Sequence, residues 1–133
     1  MKQRPGKNTS VMPTKTELDV LQVLWKHGPS TVRFVHDTLN EQKEIVQYTS
    51  TLKLMQVMKE KEMLKRDESN MKHVYSAAIA EEKVKGNMLG RFMDTMYDGS
   101  ASSLMMALLK NEKTSPAELE KMKALLATMK KEK

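Results

Sequence analysis

Cysteine is absent from this 133-residue chain. Its absence excludes disulfides, thiolate metal sites and a cysteine nucleophile. Glycine is scarce, with five residues at 6, 28, 86, 90 and 99. They do not cluster as a phosphate-cradling loop requires. No nucleophile–base set and no paired carboxylates stand out, so no enzyme is expected. No run of 18 apolar residues occurs, and a membrane span is not expected. The opening segment MKQRPGKNTS lacks the apolar centre of a signal peptide, which points to a cytoplasmic protein. His27, His36 and His73 are widely spaced without a metal-ligand pattern, so each is expected to be structural or on the surface. Neither a metal nor another cofactor is expected.

What remains is a balanced globular composition. Apolar residues make up 39% of the chain and charged residues 30%, outside the range of disordered chains. The net charge is +6. The first 78 residues carry 13 Lys and Arg against 9 Asp and Glu, and the remainder 10 against 8. The basic excess therefore lies mainly in the first half, which fits a polyanionic partner as well as a solvated basic surface.

Hydrophobic spacing orders the chain into elements. Residues 1–13 read as a loose basic arm. Thr14 or Thr16 caps a first helix with Leu18, Leu21, Val23, Leu24 and Trp25 on its apolar face, and Gly28-Pro29 stops it. Trp25 belongs in the core. Ser30 is the expected cap of a second helix, with Val32, Val35 and Leu39 inward. Residues 40–47 read as irregular. A third helix starts near Tyr48 or Thr49 and runs to about Lys61, burying Thr51, Leu52, Met55 and Met58. Two short runs, Met63–Arg66 and Met71–Ser76, flank a turn-prone tetrapeptide ending at Asn70 and predict a hairpin. Three helices followed by a hairpin make a winged helix-turn-helix domain over residues 14–78.

After Ala80 the pattern becomes wholly helical. One helix spans Glu81 to about Tyr97, and Asp98-Gly99-Ser100 breaks it. An apolar segment covers 102–110. Ser115, Pro116 and Glu118 then open a last helix as cap, first-turn proline and capping-box partner. The 13 methionines fill stripe positions as adaptable packing. The fold class is therefore mainly α, with a small β-hairpin wing and a helical region over 79–133. That region's stripes carry Met88, Leu89, Phe92, Met96, Leu104, Met105, Leu108, Leu109, Leu119, Met122, Leu125 and Leu126. Three short helices bury little surface by themselves. These residues are expected to form a homodimer interface. Folding back onto the first domain is the alternative.

Several segments carry a family resemblance. Glu17-Leu18-Asp19-Val20-Leu21-Gln22-Val23-Leu24-Trp25, Ser30-Thr31-Val32-Arg33-Phe34-Val35-His36 and Tyr48-Thr49-Ser50-Thr51-Leu52-Lys53-Leu54-Met55 resemble the three helices of the penicillinase-repressor (BlaI/MecI) family. Met58-Lys59-Glu60-Lys61-Glu62-Met63-Leu64 is similar to that family's helix end, with Glu62 where relatives have glycine. The likeness covers about residues 14–130. It implies a dimeric transcriptional repressor that binds a pseudo-palindromic operator in double-stranded DNA.

In such a repressor the third helix enters the major groove. Thr49, Ser50, Lys53 and Gln56 would then face base edges, and Lys59 and Lys61 phosphates. Lys65, Arg66, Lys72 and His73 on the hairpin would meet the DNA backbone. Val57 stands where some relatives carry a basic residue. Some members of that family are inactivated when a membrane-anchored metalloprotease cuts the tail, which makes a regulatory membrane protease a candidate partner. The matching bond falls near Ala107-Leu108, without the asparagine–phenylalanine pair of the β-lactam-responsive members. Copper-responsive relatives use a cysteine pair that this chain lacks. The rival readings are a helical protein-interaction adaptor and a non-specific architectural DNA-binding protein.

Overall fold

The structure is a computed structural model and describes residues 12–42, 46–69 and 71–131. Residues 1–11 of the expected arm over 1–13, part of the 40–47 connection and Asn70 of the turn lie outside the described residues. The elements run α1 (Lys15–His27), α2 (Val32–Gln42), α3 (Tyr48–Glu60), β1 (Leu64–Asp67), β2 (Val74–Ala77), α4 (Glu81–Tyr97), α5 (Ala101–Lys110) and α6 (Pro116–Lys131). The chain divides into two compact units, up to Met88 and from Leu89 onward.

Helix α1 begins at a reciprocal capping box. Thr14 Oγ1 accepts the Glu17 N–H, and Glu17 Oε1 accepts the Thr14 N–H at 2.9 Å. The helix ends at Gly28, whose φ of 84° lies in the left-handed region. The sequence expectation fails at the start of α2. Ser30 does not cap it; the Phe34 N–H goes to Thr31 Oγ1 at 3.1 Å. Ser30 instead pairs its backbone with Tyr75 in both directions, at 2.9 and 2.8 Å. It thus adds an isolated antiparallel bridge beside β2. A one-residue bridge leaves no alternation to read, whereas a serine before a helix reads readily as a cap.

β1 and β2 pair antiparallel, with Leu64 opposite Ala77 and Arg66 opposite Tyr75. This is the wing. The core of the first unit gathers Val20, Leu21, Val23 and Leu24 of α1, Val32 and Val35 of α2, and Met55 and Met58 of α3. Met63, Leu64 and Tyr75 come from the hairpin, with Ile79 and Val84 beyond it. The stripe at 20, 21 and 24 follows the helical period and faces this core. Trp25 packs against the core and donates Nε1–H to the Ile79 carbonyl at 3.1 Å. Leu52, expected to be buried, is only partly so.

α3 ends in a compact turn. The Glu62 N–H bonds the Lys59 carbonyl and the Met63 N–H bonds the Met58 carbonyl. This is a Schellman closure. Glu62 adopts φ 69°, the left-handed conformation that glycine favours. The turn thus forms without glycine, and α3 stops at Glu60.

In the second unit, Ser100 caps α5 through the Ser103 N–H, and Ser115 accepts the Glu118 N–H at the start of α6. Phe92 and Tyr97 make an edge-on ring contact. Among the described residues from Leu89 onward, none is buried.

Candidate nucleic-acid interface

The helix-turn-helix pair consists of α2 and α3. α3 buries Thr51, Met55 and Met58. Thr49, Ser50, Lys53 and Gln56 stand exposed. Positions 49, 53 and 56 follow the helical period, so three of them share one outer stripe. Ser50 lies to one side of it and borders an apolar groove with Thr16, Leu39 and Leu54. This face carries hydroxyl, ammonium and amide groups suited to base edges in a major groove.

On the other flank, α2, α3 and the wing enclose a cleft of about 380 Å³. Arg33, Arg66, Lys72 and His73 line it together with Thr31, Tyr48 and Gln56, and among the described residues no carboxylate lines it. Arg33 is fixed by the ring of Tyr48, with the guanidinium carbon 4.3 Å from the ring centroid. Asp37 stands 3.9 Å from Arg33 on the exposed side. Neither Arg33 nor Tyr48 emerged as a contact from the sequence. Their stacking joins two helices and leaves no periodic trace.

Two of the expected cations have partners within the fold. The Lys61 ammonium binds Glu17 Oε2 at 2.6 Å and ties the end of α3 to the start of α1. Burial pushes the Glu17 carboxyl upward. The Lys61 ammonium and the Thr14 groups outweigh it and hold the carboxyl below its usual range. Arg66 is bound to Glu68 and contacts the Tyr75 hydroxyl at 3.3 Å. Those two hydrogen bonds, with Tyr75 the stronger influence, raise its affinity for the proton. The Asp67 carboxylate accepts the Ser69 N–H, which lowers its pKa and fixes the hairpin end. Lys53 and Lys72 are exposed, and Lys59 is partly so.

A sequence profile described as the penicillinase repressor matches residues 13–128. The chain belongs to the penicillinase-repressor family. It is a DNA-binding transcriptional repressor of winged-helix architecture, and the family is not one of enzymes. The chain is 26% identical over 119 residues to a penicillinase repressor of Staphylococcus aureus, covering 90% of this chain and 94% of that one. Among solved structures it is similar to Lactococcus lactis ZitR in a C30AH42A mutant form. The identity is 17% and the TM-score 0.46, over 93% of this chain and 77% of that one. Among the described residues of this repressor, no helix is long and apolar enough to cross a membrane.

The expected dimer residues fall into two groups. Met88 packs against the core of the first unit. Leu89, Phe92, Met96, Leu108, Leu109, Leu125 and Leu126 are exposed, and so are Met106 and Met129. Leu104, Met105, Leu119 and Met122 are partly covered.

Proposed function

We propose that this repressor binds a pseudo-palindromic operator as a homodimer, in the cytoplasm, with α3 in the major groove. The observation that carries the reading is an exposed polar stripe on α3 beside a basic cleft that no carboxylate lines among the described residues. Lys53 addresses guanine and Gln56 adenine, with Thr49 and Ser50 beside them. Arg33, Lys72 and His73 meet phosphates from the cleft, and Lys59 meets one from the helix end. Lys61 serves the fold through Glu17. Arg66 reaches DNA only by exchanging Glu68 for a phosphate.

The dimer is formed by the apolar faces of α4, α5 and α6. Met96, Leu125 and Met129 are each 62% exposed, and this much uncovered apolar surface marks an association site. The DNA-binding domain expected over 14–78 thus extends to Met88, whose unit buries Ile79 and Val84, and the dimerisation region expected over 79–133 narrows to the unit from Leu89 onward. Ala107-Leu108 lies within α5. A regulatory membrane protease that cut there would separate part of that face from the DNA-binding unit.

Footprinting on the chain's own promoter region at two salt concentrations tests the interface. A protected palindrome is expected, with log affinity falling by about 0.9 per neutralised phosphate per decade of salt. Lys53→Ala is expected to weaken the protected site about tenfold while leaving random duplex nearly unchanged. Equal loss on both duplexes would make Lys53 a phosphate contact. Affinity independent of salt would sink the interface.

A further inference from the structure

His36 is a buried histidine that the DNA interface does not use. Its Nδ1 lies 3.1 Å from Thr51 Oγ1 on the inner face of α3. Its Nε2 lies 3.0 Å from Asn40 Nδ2, one turn further along α2. The orientation of the Asn40 amide is fixed independently of the ring. Its Oδ1 accepts the Val46 N–H at 3.1 Å, while its Nδ2 donates to the Val46 carbonyl at 3.4 Å. Turning the amide over would set N–H against N–H at Val46 and oxygen against oxygen at its carbonyl. Asn40 therefore presents a donor to His36, and Nε2 must be the acceptor. With Nε2 accepting from Asn40, the tautomer that completes the network carries its hydrogen on Nδ1, directed to Thr51.

We infer that neutral His36 is a latch that seats the DNA-reading helix, and that a proton on Nε2 opens it. A protonated ring sets a second donor against Asn40 Nδ2. Either that contact breaks, or Asn40 turns and loses Val46. Val46 directly precedes Gln47, the residue at the start of α3. Both ends of the network thus bear on that helix: Thr51 within it and Val46 at its entry. Histidine is the side chain suited to such a change between about pH 5 and pH 8. The consequence for DNA binding rests on the reading of α3 given above.

The charged and titratable groups around His36 come from α1, α2 and α3. Tyr48 of α3 meets the His36 ring edge-on at 5.5 Å, and the Arg33 guanidinium lies over that same tyrosine. On α2, Asp37 is exposed and faces Arg33, and Glu41 is exposed. On α1, Asp19 borders the groove that Thr51 also lines and faces Lys15 at 3.6 Å. Lys43 and Glu44 lie outside the described residues. Both His36 ring nitrogens have neutral partners, Thr51 and Asn40. His73 acts with the opposite sign, because its protonation adds a cation to the basic cleft.

The experiment compares the full chain with His36→Gln and Asn40→Asp. Binding to a duplex of the chain's own promoter region is measured at constant ionic strength, at about pH 7.5 and about pH 5.5. Wild-type affinity is expected to fall about tenfold more than that of His36→Gln, which keeps an acceptor but cannot take the proton. His73 is common to both and cancels. Asn40→Asp should reverse the effect, because a carboxylate accepts the Nε2–H of a protonated ring while still accepting the Val46 N–H. It should hold its affinity at the lower pH.

The amide signals of Val46 and Thr51, followed by NMR without DNA, judge the latch by itself. They should move with pH in the wild type and stand still in His36→Gln. Superimposable pH profiles for wild type and His36→Gln would overturn the inference, as would a wild-type fall retained in Asn40→Asp. If the amides move as expected while no duplex is bound at either pH, the latch stands and the reading of α3 as the DNA helix fails.

Discussion

The two units of this repressor obey the same local rules and differ in what they bury. In the first, α1, α2, α3 and the wing close over thirteen buried apolar residues, among them Leu21, Val35, Met55 and Tyr75. In the second, the helices are as well begun, by Ser100 and Ser115. Yet none of its described residues is buried, and Leu125, Leu126 and Met129 face outward. Caps and propensity specify where a helix lies. Only the removal of apolar surface from water, at about 25 cal/mol per Å², holds helices together. The first unit meets that need within one chain, and the second leaves its stripe exposed.

The largest expected effect tests the self-sufficient side of this comparison. Leu21 is fully buried, so Leu21→Ala should destabilise the fold by about 3 kcal/mol through lost contacts and the cavity left behind. The loss, measured by denaturant unfolding, should be the same at every protein concentration. The tail should behave differently. Leu125→Ala combined with Leu126→Ala should weaken self-association by about 2 kcal/mol, or roughly thirtyfold in the dimer constant. Sedimentation would show monomer appearing at concentrations where the wild type is paired. A tail variant whose stability drops without any change in association would break the comparison, because the stripe would then be covered within one chain.

How much could be read beforehand follows the same division. α4 is legible to the residue, because its stripe runs unbroken from Val84 to the Asp98-Gly99 stop. The polar face of α3 is legible too, since Thr51, Met55 and Met58 mark the inner side. Contacts that join distant elements are not. Ser30 reads as a helix cap, yet its backbone bonds Tyr75, 45 positions along the sequence. Lys61 reads as a phosphate contact, yet its ammonium reaches Glu17 of α1. Arg33 on Tyr48 leaves no spacing signal. In each case the partner is chosen by packing, which periodicity does not encode.

A smaller effect sharpens the account of how the first unit closes. Glu17 is buried, completes the α1 capping box and binds Lys61. Glu17→Gln keeps an acceptor for the Thr14 N–H but removes the charge. It should cost about 1 kcal/mol at neutral pH, discounted because Lys61 is half exposed to solvent. The folded-state pKa of Glu17 is lowered relative to its ordinary value. Its charged form therefore stabilises the fold above about pH 4.3, and that stability is lost as the pH falls through the lower folded value. Denaturant melts of the two proteins should differ at neutral pH and converge in acid. A gap that stayed constant into acid would remove the ion pair from the explanation.

The smallest effect carries a sign opposite to the others. Glu62 holds φ 69° at the end of α3, where a side chain crowds its own backbone by about 1–2 kcal/mol and glycine does not. Glycine gives back roughly 0.5–1 kcal/mol through the greater freedom of the unfolded chain. The balance predicts that Glu62→Gly stabilises the first unit by about 0.5 kcal/mol. The hydrogen bonds from residues 62 and 63 to Lys59 and Met58 are made by backbone and should persist. So should the burial of Met63 that follows the turn. The gain should appear in the unfolding midpoint and leave the dimer constant unchanged, since the turn belongs to the unit that closes on itself. A loss of stability would mean that the glutamate side chain contributes more at this turn than its backbone strain costs.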